Sequence, residues 1–307
     1  MIKPRALDPG ARLVLVAPGS GFRRDEFDQG LEEIHSLGFT PSYDPSVFET
    51  RGYVAGPAAV RASALHKAWN DPDTGALMAV RGGYGSMQVL PLLDPVIARQ
   101  GRQPLIGYSD VTAILSWLCF SCGLIAFHGP MLAGRLSRGA DGYDRDSFLR
   151  VVCGRSPVGE LAPPGLEVVR PGEAAGPLFG GTLTQLTSSL GTPFAFSPPP
   201  GYVLFLDEIA ERPYRLDRMV TQLAQAGVLA RASAVVINEL PKCEEPGGRV
   251  TAQGVMADLF ADFPGPVLMG FPSGHAVAPA ITLPFGASCR VVSGARPCLV
   301  IEEAAVE

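Results

Sequence analysis

An α/β fold is predicted by three features of the sequence. Short apolar runs alternate with longer segments of helical period, glycine-rich turns lie between them, and 307 residues leave room for more than one core. Arg12 to Ala17 reads as a strand ending in Pro18-Gly19-Ser20-Gly21, a turn that feeds a helix from about Arg24 to Leu37, where Gly38 stops it. A second helix is expected across Ala58 to Trp69, then a strand at Ala76 to Val80 and a glycine-rich loop at Arg81 to Gly85. Pro104 to Gly107 is a further strand and runs into a helix beginning near Asp110. This alternation is that of a parallel sheet with crossover helices.

A prior of roughly 150 residues per domain suggests two units. Periodicity fails between Arg155 and Gly176, where four prolines and four glycines fall, so the division is placed there. The expected parts are an N-terminal α/β domain at 1–155, a linker at 156–176 and a smaller β/α domain at 177–307. In the last, Val203 to Leu206, Ala234 to Ile237 and Pro266 to Met269 read as strands, Leu216 to Ala226 as a helix, and Val291 with Leu299 to Ile301 as a closing pair.

Composition narrows the function. With 47% hydrophobic and 18% charged residues, disorder is excluded. A net charge of −5 and the lack of any Lys/Arg run offer no field for a phosphate backbone, so nucleic acid is not an expected partner. The first apolar run, Leu13 to Ala17, is too short for a signal h-region, and no window approaches the roughly 18 apolar residues of a membrane span. A cytoplasmic protein acting on a small ligand, without a membrane partner, is expected. The six cysteines sit mostly in apolar surroundings and read as buried free thiols. Cys119 and Cys122 form a Cys-x-x-Cys, but no second pair or flanking His completes a zinc set.

The sharpest chemical signal is Leu105-Ile106-Gly107-Tyr108-Ser109-Asp110-Val111-Thr112, a strand ending in Gly-x-Ser that turns directly into a helix. Such an elbow holds a hydroxyl at the carboxyl end of a sheet, near the positive end of a helix. Ser109 is therefore a candidate nucleophile; the alternative is that Ser109 or Asp110 merely caps the helix. The second glycine of Gly-x-Ser-x-Gly is lacking, so this is not the α/β-hydrolase motif. A nucleophilic serine needs a base, and there are four histidines. His35 and His66 fall within predicted helices. His128 follows a strand and either lines the cleft or is structural. His275 sits in the glycine-bracketed loop Gly270-Phe271-Pro272-Ser273-Gly274-His275, where an imidazole is presented rather than packed.

An acid should orient that imidazole. Val203-Leu204-Phe205-Leu206 runs straight into Asp207 and Glu208, which either serve the histidine or lie in solvent beyond the strand end. The loop Arg81-Gly82-Gly83-Tyr84-Gly85-Ser86 exposes backbone amides that could hold an oxyanion, unless it is an ordinary turn; it does not fit a nucleotide-binding fingerprint.

Taken together, these segments resemble the LD-carboxypeptidase family of serine peptidases (muramoyltetrapeptide carboxypeptidases), which includes the microcin C immunity proteins. The resemblance lies in Val16-Ala17-Pro18-Gly19-Ser20, Asn70-Asp71-Pro72, Arg81 to Gly85, Ile106 to Ala113, and Phe127-His128-Gly129-Pro130-Met131. It continues through Gly180-Gly181-Thr182-Leu183, Gly191-Thr192-Pro193, Asp207 to Arg218, Gly274-His275 and Leu283-Pro284-Phe285-Gly286, in the family's order. It implies a Ser-Glu-His triad, so Ser109 and His275 carry over directly. The family's glutamate falls on Asp207, one methylene shorter, so either Asp207 or the adjacent Glu208 takes that role. Thr182 stands where the family usually has Asn. The oxyanion hole would use amides of the Arg81-Gly82-Gly83 loop and of Asp110.

The same resemblance implies a doubly wound parallel-sheet N-terminal domain, similar to class I amidotransferases, and a swivelling C-terminal domain, with the triad assembled across the boundary. No metal or cofactor is implied. The substrate would be a peptidoglycan tetrapeptide cut before its terminal D-alanine during cell-wall recycling, by a homodimer. Arg81, Arg212 and Arg215 are candidates for holding the free carboxylate of such a peptide. The alternatives are hydrolysis of a peptidyl or aminoacyl nucleotide, as in microcin immunity, or ligand binding without chemistry on this scaffold.

Overall fold

A computed structural model describes residues 1–307. Near-continuous apolar runs form its central strands, as expected where both faces of a parallel sheet are covered. The chain begins with β1 (Arg12–Val16), β2 (Thr40–Tyr43), β3 (Thr74–Ala79), β4 (Leu105–Gly107) and β5 (Ala126–His128). It goes on through β6 (Gly159–Leu161), β7 (Glu167–Arg170), β8 (Gly172–Thr182), β9 (Tyr202–Asp207), β10 (Ala232–Asn238) and β11 (Val267–Phe271), then closes with β12 (Leu283–Phe285), β13 (Ser288–Ser293) and β14 (Cys298–Ile301).

The first five strands are parallel in the order β5-β4-β3-β1-β2, the doubly wound order whose topological switch lies between β1 and β3. The second sheet runs β6-β14-β13-β8-β9-β10-β11-β7, with β8 to β11 parallel and antiparallel strands on either side. β12 leaves the second unit and pairs antiparallel with β5 at the edge of the first sheet. One apolar cluster runs through both sheets. At their junction the ring of Phe205 on β9 lies 6.3 Å from that of Phe285 on β12 and 5.2 Å from the His128 imidazole on β5.

Most predicted elements are present within a few residues, and the helix Arg24–Ser36 shows why. Its Phe27 and Ile34 face inward, while Asp25 and Glu26 stand in the first turn, where the helix dipole favours negative charge. The linker expected at 156–176 is corrected. That segment holds β6, β7 and the start of β8, so the second unit carries the larger sheet. Its four prolines all fall outside the strands, before β6 and in the turns that join β6, β7 and β8, while β6 and β7 lie at the two ends of the sheet.

The two units meet closely at Gly181, where β8 reaches the helix that follows Ser109. A β-carbon built on Gly181 would lie 2.4 Å from Cγ2 of Thr112, and its φ of +133° is one that side chains disfavour. Gly181→Ala is expected to lower stability by about 1–3 kcal/mol through overpacking, read from urea unfolding followed by circular dichroism.

Candidate active site

Ser109 is the residue at which β4 becomes a helix. Tyr108 is extended, Ser109 takes φ +62°, and a single tight turn over Ser109–Val111 leads into the helix Thr112–Trp117. A left-handed conformation at a non-glycine residue costs on the order of 1–2 kcal/mol and persists only where its surroundings enforce it. Gly107 permits the turn, since a β-carbon there would lie 2.8 Å from Cγ1 of Val111.

The glycine loop after β3 packs onto this elbow. A β-carbon on Gly82 would lie 2.8 Å from Cβ of Ser109, 3.1 Å from its Oγ and 3.2 Å from the amide nitrogen of Asp110. Main chain from Gly82-Gly83 and from Asp110 is thereby brought to one side of the hydroxyl. The loop is fixed from below: the buried Asp110 carboxylate accepts from the Ser86 amide at 2.8 Å and from Gln185 Nε2 at 3.3 Å. Arg61, also buried, donates to the carbonyls of Pro18, Gly56 and Gly85. Burial raises the Asp110 carboxyl above its ordinary value, against the hydrogen bonds from Ser86 and the charge of Arg61. The Ser20 amide donates to the Gly82 carbonyl at 2.8 Å, which joins the loops after β1 and β3 at the topological switch.

Asp207 and Glu208, adjacent in sequence, have separate partners. Asp207 is fully buried; its Oδ2 receives His275 Nδ1 at 2.8 Å and the Thr182 hydroxyl at 3.1 Å. Its Oδ1 accepts from the His275 amide at 3.0 Å and from the Asn238 side chain. Glu208 turns the other way. One oxygen accepts from the Thr184 amide and hydroxyl at 2.8 and 2.7 Å, and the other from the Ile209 amide at 3.0 Å. Of the two candidate acids, the one that meets the imidazole is Asp207, while Glu208 holds the start of the helix Leu183–Ser189.

Burial acts against charge on both members of the pair. It pulls His275 down, but the charge and hydrogen bond of Asp207 outweigh it and leave the imidazole above its ordinary value. It pushes Asp207 up, and the neighbouring imidazole reverses this, so the carboxylate titrates below its ordinary value. With Nδ1 committed to Asp207, Nε2 is the nitrogen left to accept a proton. Tyr108, the residue preceding Ser109, sets its ring edge-on to His275, 4.9 Å between centroids. The Ser109 hydroxyl itself is not hydrogen-bonded to the ring; such bonds tighten when substrate arrives.

His128 is fully buried beneath Asp207, with Nε2 4.0 Å from Oδ2, and burial lowers it to about 4, so it is neutral and does not line the cleft. His66 accepts from the Asp94 amide, and His35 is exposed. Arg81 is exposed beside the glycine loop and donates to the Gly21 carbonyl at 2.8 Å. Arg212 and Arg215 are engaged elsewhere, with Glu245 at 3.7 Å and Glu211 at 3.1 Å. All six cysteines are free, and burial pushes Cys122 up to about 12 and Cys119 higher still.

Sequence reasoning misses Asn238. Its signal is faint: a lone amide ending the apolar strand Ala-Val-Val-Ile-Asn, a polar group that needs a partner when buried.

Comparison with known proteins matches residues 13–129 to the LD-carboxypeptidase N-terminal domain and residues 175–291 to the LD-carboxypeptidase C-terminal domain. A probable murein peptide carboxypeptidase of Bacillus subtilis is 31% identical over 97% of this chain and 94% of its own length. A murein tetrapeptide carboxypeptidase of Pseudomonas aeruginosa is 30% identical over 86% of this chain and 88% of its own. In fold, the chain superposes on the microcin C7 self-immunity protein bound to glutamyl sulfamoyl guanosine, with a TM-score of 0.88, 20% identity and complete coverage of both chains.

Gly274 is the spacer that lets Asp207 and His275 meet. Its φ is +62°, and a β-carbon there would lie 2.5 Å from both Asp207 Oδ2 and His128 Nε2. Gly274→Ala is expected to abolish the downfield Nδ1–H proton resonance of His275, a loss visible by NMR without any substrate.

Proposed function

The chain belongs to the LD-carboxypeptidase family and is a serine-type peptide hydrolase; from that premise we propose that Ser109, His275 and Asp207 cut the bond joining the L-centre of a diamino acid to the terminal D-alanine of a peptidoglycan tetrapeptide. The observation that carries this reading is the Asp207–His275 pair, with Nε2 left free and its ring against Tyr108, the residue preceding a serine held in the left-handed conformation against Gly82.

In this mechanism Nε2 of His275 takes the Ser109 proton as Oγ attacks the peptide carbonyl. Amides of the Gly82-Gly83 loop and of Asp110 receive the developing oxyanion, whose charge is best stabilised by donors already in place. The imidazolium, stabilised by the buried carboxylate, returns its proton to the departing amine and D-alanine leaves. Water, deprotonated by the same nitrogen, then attacks the ester and regenerates Ser109. Arg81, exposed beside the oxyanion loop, is the residue assigned to the substrate carboxylate. Arg212 and Arg215 are less suited, each being paired with a nearby glutamate. No helix is long and apolar enough to cross a membrane. A cytoplasmic site of action and a homodimeric state complete the reading, the latter checked by light scattering.

The direct test is release of D-alanine from L-Ala-γ-D-Glu-meso-diaminopimelate-D-Ala. Release by the wild type that vanishes in Ser109→Ala supports nucleophile and substrate together; no release by the folded wild type sinks the substrate assignment.

Two further outcomes follow from the acid. Asp207→Asn is expected to cut kcat by up to about 10⁴-fold, the size seen when the orienting aspartate of a serine peptidase becomes asparagine, whereas Glu208→Gln retains substantial turnover. The pH profile gives the sign of the coupling. Only neutral His275 accepts a proton, and its folded pKa is raised, so kcat/KM should fall with decreasing pH at a midpoint above the ordinary imidazole value of about 6.5. A midpoint at or below that value would count against Asp207 as the partner.

A further inference from the structure

Arg135 is buried, at 5% exposure, and pairs with no carboxylate. A guanidinium cannot shed its charge, so such burial is tolerated only where its donors are satisfied. Three hydrogen bonds to main chain engage them here. Nη1 donates to the Gly142 carbonyl at 3.0 Å, and Nη2 to the carbonyls of Gly274 at 2.6 Å and Ala276 at 2.7 Å. The last two residues flank His275. The guanidinium carbon also stands 6.0 Å from the ring centroid of Tyr108, the same ring that meets His275 edge-on.

The His275 loop is thus held from two sides. Glu239, following β10 of the second sheet, accepts from the amides of Val277 and Ala278. Arg135 follows β5 of the first sheet, the sheet that also carries Ser109. We propose that Arg135 is a positioning residue, gripping the carbonyls before and after His275 so that the base is registered to the nucleophile's sheet as well as to Asp207. This inference rests on His275 being the base.

The titratable and charged groups around the His275 ring are Asp207 at the end of β9, which meets it, Glu208 behind, turned away but acting through its charge, His128 on β5, Tyr108 before Ser109, and Arg135. Against the two carboxylates, the Arg135 cation is one of the charges that oppose protonation of the ring. Charge and grip can be separated by substitution. Lysine keeps the charge but lacks the planar fork that reaches several carbonyls at once; methionine removes both.

The test measures kcat and KM for D-alanine release from the tetrapeptide, together with the His275 ring titration by nitrogen-15 NMR, in R135K and R135M. With the grip lost, kcat should fall on the order of a hundredfold in R135K, with KM little changed and the ring titrating near its wild-type pH. In R135M kcat should fall at least as far, and the titration should move to higher pH, carrying the acid limb of kcat/KM with it. Wild-type kcat in R135K, or an unmoved titration in folded R135M, overturns the proposal; if R135M does not fold, the kcat of R135K decides. A separate outcome addresses the underlying reading: wild-type release by His275→Ala would remove His275 as the base, while the ring titrations in the Arg135 variants would still report the contact.

Discussion

The fully buried carboxylate of Asp207 is the constraint around which the site is organised. An unpaired ionised carboxylate in that position would cost several kcal/mol, and the fold meets the cost with four donors drawn from three places. Thr182 ends β8, Asn238 ends β10, and the amide and ring of His275 come from the loop after β11. Three parallel strands of one sheet therefore deliver polar groups to one point, and the register of that sheet is tied to their meeting. Thr182 pairs directly with Asp207 across β8 and β9. Its hydroxyl is the donor that this strand end supplies to the carboxylate.

Ser109 is held by a different device. Around Ser109 the crowded contacts are made by backbone. Gly19 and Gly82 let the loops after β1 and β3 cross at the switch of the first sheet, and Gly82 reaches Ser109 because it has no side chain. The buried Asp110 and Arg61 beneath them lock those loops by accepting from one amide and donating to three carbonyls. One half of the site is thus assembled from main chain and the other from a buried charge, and Tyr108, the residue before Ser109, joins them by setting its ring against His275.

Ser109, His275 and the glycine loop are legible in the sequence because each is a local event: a strand ending in Gly-x-Ser, a histidine bracketed by glycines, amides freed by missing side chains. The choice between Asp207 and Glu208 is not legible there. Successive side chains on a strand point to opposite faces, so one acid had to face the imidazole, but which one depended on where the loop after β11 returned. The segment 156–176 misleads for a related reason. Its prolines and glycines carry no periodic signal, and its strands exist because β11 and β14 offer edges for them to pair with.

By itself the sequence determined the α/β class, the order of most strands and helices, and the residue types able to carry acyl transfer, since these follow from periodicity and turn chemistry within a few residues. Tertiary structure alone decided that Asp207 rather than Glu208 meets His275, that Asn238 and Arg135 support that meeting, and that β12 crosses back to the first sheet. Each of these joins residues distant in the chain, 139 positions apart for Arg135 and Gly274, and such pairings are fixed by the packing of whole sheets rather than by any local pattern.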